Sequence, residues 1–122
     1  MSKLVLITGA SSGIGQAMAW RFYHAGYSLA LVARRTQDIQ TWAKEKSLTA
    51  QRFQIYSADV SSIDSIVAAA QQCLERQGVP DVVIANAGIS IGMDSAERQD
   101  LDVMARTFAT NNTGLAATFH AF

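Results

Sequence analysis

The sequence predicts an α/β fold built on a doubly wound parallel sheet, and three observations carry that prediction. Short aliphatic runs alternate with longer amphipathic ones along the whole chain. The first aliphatic run breaks into a glycine-rich turn just ahead of a helical pattern. The fourth, Val82 to Ala85, is apolar at consecutive positions, the mark of a strand covered by helices on both faces. With 122 residues, the length suits one domain, 1–122, with room for a core.

Residues 3–8 form an apolar run ending in the glycine turn, as a buried strand would. From Gly13 to residue 25, Ile14, Met18 and Phe22 recur at spacing four along one helical face. Gly26 then stands where a helix-closing glycine belongs. Residues 27–33, rich in Leu, Ala and Val, make the second strand, and 37–46 the second helix, with Ile39 and Trp42 facing inward. A third strand at 52–57 ends at Ala58-Asp59-Val60. Ser61 or Ser62 can cap a third helix, whose expected buried stripe is Ile63, Ile66, Val67, Ala70 and Leu74. Gly78 and Pro80 stop it. Residues 81–86 are the fourth strand, and after a polar loop a final helix runs from Leu101 to the C-terminus.

Four strands alternating with four helices imply right-handed crossovers and the strand order 3-2-1-4, the first half of a doubly wound sheet. In that order the fourth strand lies at an edge. Yet Val82, Val83, Ile84 and Ala85 include none of the charges or prolines that blunt an edge. A neighbour is expected there, either a C-terminal half or a second copy of the chain.

Composition narrows the function classes. Apolar residues make up 49% and charged residues 16%, which excludes a disordered chain. Ten basic and ten acidic residues cancel, so a nucleic-acid or anionic-membrane partner has no electrostatic support. The longest apolar runs are too short to span a bilayer, and the N-terminus does not read as a signal peptide. A single cysteine, Cys73, forms no internal disulfide, reads as a small apolar filler and fits a reducing cytoplasm.

The glycine turn joins a strand to a helix N-terminus, where free backbone N–H groups and the helix dipole attract phosphate. Gly9 permits the tight turn, Gly13 lets a pyrophosphate approach the backbone, and Gly15 lets the helix pack closely on the strand. A site for NAD carries an Asp or Glu about twenty residues further on, to accept from the ribose 2′-hydroxyl. Here the second strand ends Val32-Ala33-Arg34-Arg35, with no carboxylate before Asp38. A guanidinium offers charge-assisted bonds to a 2′-phosphate, so NADP(H) is favoured over NAD(H). Arg34 is the better placed for that phosphate, while Arg35 either stacks on adenine or points to water. Asp59, with Val60 after it, either accepts from an adenine amino group or caps the next helix. Asn86-Ala87-Gly88 is either an ordinary turn or, from its place at a carboxyl strand end, part of the ligand site.

Taken in order, Thr8-Gly9-Ala10-Ser11-Ser12-Gly13-Ile14-Gly15, Arg34, Asp59-Val60, Asn86-Ala87-Gly88 and Asn111-Asn112-Thr113-Gly114 resemble the short-chain dehydrogenase/reductase family over the whole chain. The resemblance implies a Rossmann-type sheet, with residues 8–15 holding the cofactor pyrophosphate. By the same resemblance Arg34 and Asp59 contact the 2′-phosphate and the adenine, and Asn86, Ala87 and Gly88 support the central strand beside the ribose. Asn111 matches the family's catalytic asparagine, whose backbone carbonyl holds a water in a proton relay. Two positions depart from the pattern: Ala85 stands where the family often has Asn, and Ser12 where many NADP-dependent members have a basic residue. The case for the 2′-phosphate therefore rests on Arg34.

The family's chemistry also uses a tyrosine as general acid/base, a lysine four residues later that lowers its pKa, and a serine that polarises the carbonyl. No Tyr-x-x-x-Lys follows Tyr23, Tyr27 or Tyr56, and Lys3, Lys44 and Lys46 lie outside the expected pocket. His24 and His120 have no acid and nucleophile beside them in sequence. Two expectations follow. The chain is the N-terminal part of an NADP(H)-dependent oxidoreductase acting on an alcohol or carbonyl substrate, ending before the catalytic segment, or it is a short nucleotide-binding or dimerising module without catalysis. A homo-oligomer is expected, and if the chain stands alone its association is expected to run through the fourth strand and the final helix.

Overall fold

Side chains along a strand alternate between faces, so an uninterrupted aliphatic run can feed two cores at once. The first strand, β1 (Leu4–Thr8), does so. Val5 and Ile7 enter one core with Leu29, Leu31, Ile39 and Trp42, whereas Leu4 and Leu6 enter another with Ala30, Val32, Tyr56 and Ile66. The computed structural model describes residues 2–11, 13–87 and 98–122, except the side chains at 99, 100, 103 and 104. The sequence expectations for Ser12, Gly88 and the polar loop after it lie outside the described residues.

After β1 come α1 (Gly13–His24), β2 (Ser28–Ala33), α2 (Thr36–Glu45), a 3-10 turn at Ala50–Arg52 and β3 (Phe53–Ser57). The chain continues through α3 (Ile63–Arg76), β4 (Val82–Ile84), α4 (Arg98–Phe108), a π-helical turn at Ala109–Thr113 and α5 (Gly114–His120). All strand pairs are parallel, in the order β3-β2-β1-β4 that the alternation predicts. Ile7 is paired with Leu31 and Ile84, and Leu31 with Ile55. This register brings the carboxyl ends Thr8, Ala33, Ser57 and Ile84 to one end of the sheet. Residues of α1 and α2 fill the first core, and residues of α3 the second. No helix among the described residues is long and apolar enough to cross a membrane.

Ile39, Trp42 and Cys73 are buried, as their helical spacing requires. The α3 stripe is narrower than expected. Ile66, Ala69, Ala70 and Cys73 are buried, but Ile63 and Leu74 are exposed. Leu74 is the next residue after Cys73 and is turned about 100° from it, off the sheet. Ile14 also departs from the expected buried face of α1, at 71% exposed. It sits in the first turn, beyond the end of the strand on which the rest of α1 packs. The final helix starts at Arg98 rather than Leu101 and passes through the π turn, a change of backbone register that apolar spacing does not report.

Arg52 explains how the far end of the sheet is closed. Its guanidinium donates to the carbonyls of Tyr23 and Tyr27, 2.7 Å each, and lies 3.8 Å from the Tyr23 ring centroid. One residue of the 3-10 turn thus ties the end of α1 to the start of β2. Beneath α3, the buried Tyr56 hydroxyl donates to Gln77 Oε1 at 2.9 Å, and Gln77 Nε2 donates to the Leu29 carbonyl at 3.0 Å. Burial pushes the Tyr56 phenol and the Cys73 thiol up from their ordinary values, so both stay neutral near neutral pH.

Candidate functional site

Above the carboxyl ends of the strands lies a cleft of about 610 Å³. Its floor is the turn between β1 and α1. Gly9 has φ +65°, a left-handed conformation that favours glycine. A Cβ there would also come within 2.8 Å of Ala87 Cα. A Cβ on Gly15 would collide with the Gly9 carbonyl oxygen and stand 2.9 Å from Asn86 Nδ2. The turn is therefore pressed between the segment after β4 and the first turn of α1. Polar contacts lock it there. Buried Thr8 accepts through Oγ1 from the Asn86 N–H (3.0 Å) and the Ala87 N–H (3.1 Å), and Asn86 Nδ2 donates to the Gly9 carbonyl (3.2 Å). Gly9, Ser11, Gly13 and Ile14 line the cleft, and a Cβ added to Gly13 would meet nothing within 4 Å. The first N–H groups of α1, which have no partner inside a helix, open on this floor, where a cap or a ligand can take them.

The walls come from the next two strand ends. Arg34, just past β2, is exposed and lines the cleft with Asp59, Val60 and Ser61. Asp59 Oδ1 accepts from the Ser61 hydroxyl at 2.6 Å and the Ser61 N–H at 3.0 Å. These bonds, with the nearby charge of Arg34, hold its carboxyl below the usual carboxylate range and keep it ionised at neutral pH. The cap of α3 is Ser62, whose side chain accepts from the Ser65 N–H at 3.3 Å. Asp59 stays with the turn before the helix.

The last wall, formed by Arg106, Ala109 and Thr110, was not visible in the sequence. Gly114 sets it in place: a Cβ there would collide with the Val60 carbonyl oxygen, so only glycine lets this helix close on the Asp59–Val60 turn. The π turn between Arg106 and Gly114 alters which side chains face the cleft, and such turns recur at functional sites. Asn111 is half-buried within that turn, one residue beyond Thr110. Of the residues predicted from sequence, Gly9, Ser11, Gly13, Ile14, Arg34, Asp59, Val60, Asn86 and Ala87 are brought together around the cleft. Thr8 and Gly15 lie beneath, shaping the turn. Arg35 is exposed beside α2, and neither it nor Asn111 is among the lining residues.

A model of the short chain dehydrogenases matches residues 3–122. The chain belongs to the short-chain dehydrogenase family. It is 35% identical over 120 residues to a dehydrogenase/reductase SDR family protein 7-like of Anopheles gambiae, covering 94% of this chain and 38% of the other. It is 34% identical over 126 residues to sulfoacetaldehyde reductase 2 of Chromohalobacter salexigens, covering 99% and 48%. The crystal structure of a 3-ketoacyl-(acyl-carrier-protein) reductase from Brucella melitensis complexed with NADH superposes with a TM-score of 0.85 at 30% identity, over 97% of this chain and 47% of that one. This short-chain dehydrogenase chain thus spans about half or less of these relatives, corresponding to their N-terminal part. Short-chain dehydrogenases bind nicotinamide dinucleotides. The glycine floor at the N-terminus of α1 and the Arg34 guanidinium suit such a polyanion.

Proposed function

We propose that the cleft binds NADP(H), and that the chain is the cofactor-holding part of an oxidoreductase acting on an alcohol or carbonyl substrate. The observation that carries the NADP(H) preference is Arg34. It follows β2 on the cleft wall, and no acidic side chain comes after it before Asp38 on α2. Residues 8–15 cradle the pyrophosphate, with Ser11, Gly13 and Ile14 at the floor. Arg34 holds the 2′-phosphate, the ionised Asp59 accepts from the adenine amino group with Val60 beside it, and Asn86 and Ala87 support the ribose side. When bound, the dinucleotide supplies or accepts the hydride. Asn111 is the residue of this chain assigned to the proton relay, through its backbone carbonyl. Calorimetric titration tests the preference: NADPH is expected to bind at least about tenfold more tightly than NADH, as charge-assisted bonds to a phosphate would give. Equal affinities, or tighter NADH, would contradict it.

These 122 residues contain no Tyr-x-x-x-Lys, so we expect them, taken by themselves, to bind cofactor without reducing a carbonyl. Leu101, Phe108, Leu115, Phe119 and Phe122 stand exposed on α4, α5 and the residues just beyond, and β4 ends the described sheet. We assign self-association to this side of the molecule. Sedimentation at micromolar concentration is expected to show a dimer or larger, and a clean monomer would overturn the assignment. A cytoplasmic location fits the single buried thiol, Cys73.

A further inference from the structure

Arg106 is a cleft residue that the pyrophosphate cradle and the 2′-phosphate contact leave without a task. It is exposed and lines the cleft, and its guanidinium has no hydrogen bond or ion pair among the described residues. Among the described lining residues the one carboxylate, Asp59, is committed elsewhere, through Oδ1 to Ser61 and by charge to Arg34. A guanidinium on a cleft wall with no partner among the described residues adds little to folding stability, so its use is to be sought in the ligand.

Its position selects which part of the ligand. This step rests on the reading of the cleft as a dinucleotide site. The floor over β1 takes the pyrophosphate, and Arg34 at the end of β2 takes the 2′ position. Next in sheet order is the end of β3, with the Asp59–Ser61 turn, which leaves that region for the base. Gly114 fixes α5 against Val60 in this same turn. Arg106, eight residues earlier across the π turn, lines the same cleft as Asp59, Val60 and Ser61. The group within its reach is flat, aromatic and uncharged. A planar guanidinium binds such a face by stacking, which an ammonium does less well.

We propose that Arg106 packs its guanidinium on the face of the adenine base and so sets affinity for both cofactors without discriminating between them. The test is calorimetric titration of the wild-type chain, Arg106→Leu and Arg106→Lys with NADPH, NADH and ADP-ribose, which all carry the adenosine. Circular dichroism serves as the control for folding. Arg106→Leu is expected to weaken all three ligands by the same factor, about fivefold, and Arg106→Lys to recover only part of it. A loss confined to NADPH would make Arg106 a second phosphate contact and overturn the proposal. Full recovery by lysine would reduce its role to charge alone and overturn it too. Unchanged binding in Arg106→Leu refutes the proposal but leaves the dinucleotide site intact. Failure of the wild-type chain to bind any of the three removes the site itself.

Discussion

Arg34→Glu is expected to weaken NADPH binding by about 100-fold while leaving NADH within about threefold, because it removes a charge-assisted contact and sets a carboxylate against a phosphate. The asymmetry matters more than the size. A carboxylate at the end of β2 repels a 2′-phosphate but can accept from a 2′-hydroxyl, so the same change that harms NADPH can hold NADH. Arg34 is exposed, and its side chain has no hydrogen bond among the described residues, so stability should move by no more than about 0.5 kcal/mol. Calorimetry with both cofactors, alongside a urea melt, reads all three quantities. Equal weakening of NADPH and NADH would place Arg34 on a part of the dinucleotide that the two share.

Gly15→Ala is expected to lower stability by about 3 kcal/mol, combining overpacking against backbone with the loss of a hydrogen bond, and to weaken both cofactors by more than about tenfold. The added methyl would fall on the Gly9 carbonyl oxygen and stand 2.9 Å from Asn86 Nδ2. Backbone cannot rotate aside as a side chain can. Either α1 lifts away from the sheet or the turn leaves its place under Asn86, and both disturb the floor of the cleft. Gly13→Ala is the internal comparison. Its Cβ meets nothing within 4 Å, but φ is +57°, so the penalty should be limited to about 1–2 kcal/mol of left-handed strain. Urea denaturation of the two variants checks the ranking. A Gly15→Ala midpoint equal to wild type would show that the close approach of α1 to the turn is not needed.

Much of this architecture was legible because one physical signal, hydrophobic periodicity, changes clearly between strand and helix. Consecutive aliphatic residues with glycine turns between them marked strands buried on both faces, and the crossover rule then left the order 3-2-1-4. Legibility failed where backbone geometry, rather than burial, decides. The π turn at Ala109–Thr113 shifts the register of a helix whose apolar spacing still reads as continuous, so the wall of Arg106, Ala109 and Thr110 was hidden. Ile14 keeps helical spacing with Met18 and Phe22, yet it overhangs the cleft because the strand beneath has already ended. Thr8 stands in a ligand motif, but its hydroxyl is used internally, by the N–H groups of Asn86 and Ala87. Residue type suits Ser61 and Ser62 equally as the cap, and only the backbone path decides between them, since Ser62 alone accepts from the Ser65 N–H.

The most direct test of the cleft as an NADP(H) site is a map of backbone amide shifts as NADPH is added to the chain. The largest saturable movements are expected at Ser11, Gly13 and Ile14, with others at Arg34, Asp59 and Ser61, which line the same cleft. The Arg34 guanidinium resonance should move with NADPH and stay in place with NADH. Shifts confined to the opposite end of the sheet, around Tyr23, Thr49 and Arg52, or no saturable shift at the glycine turn, would contradict the assignment.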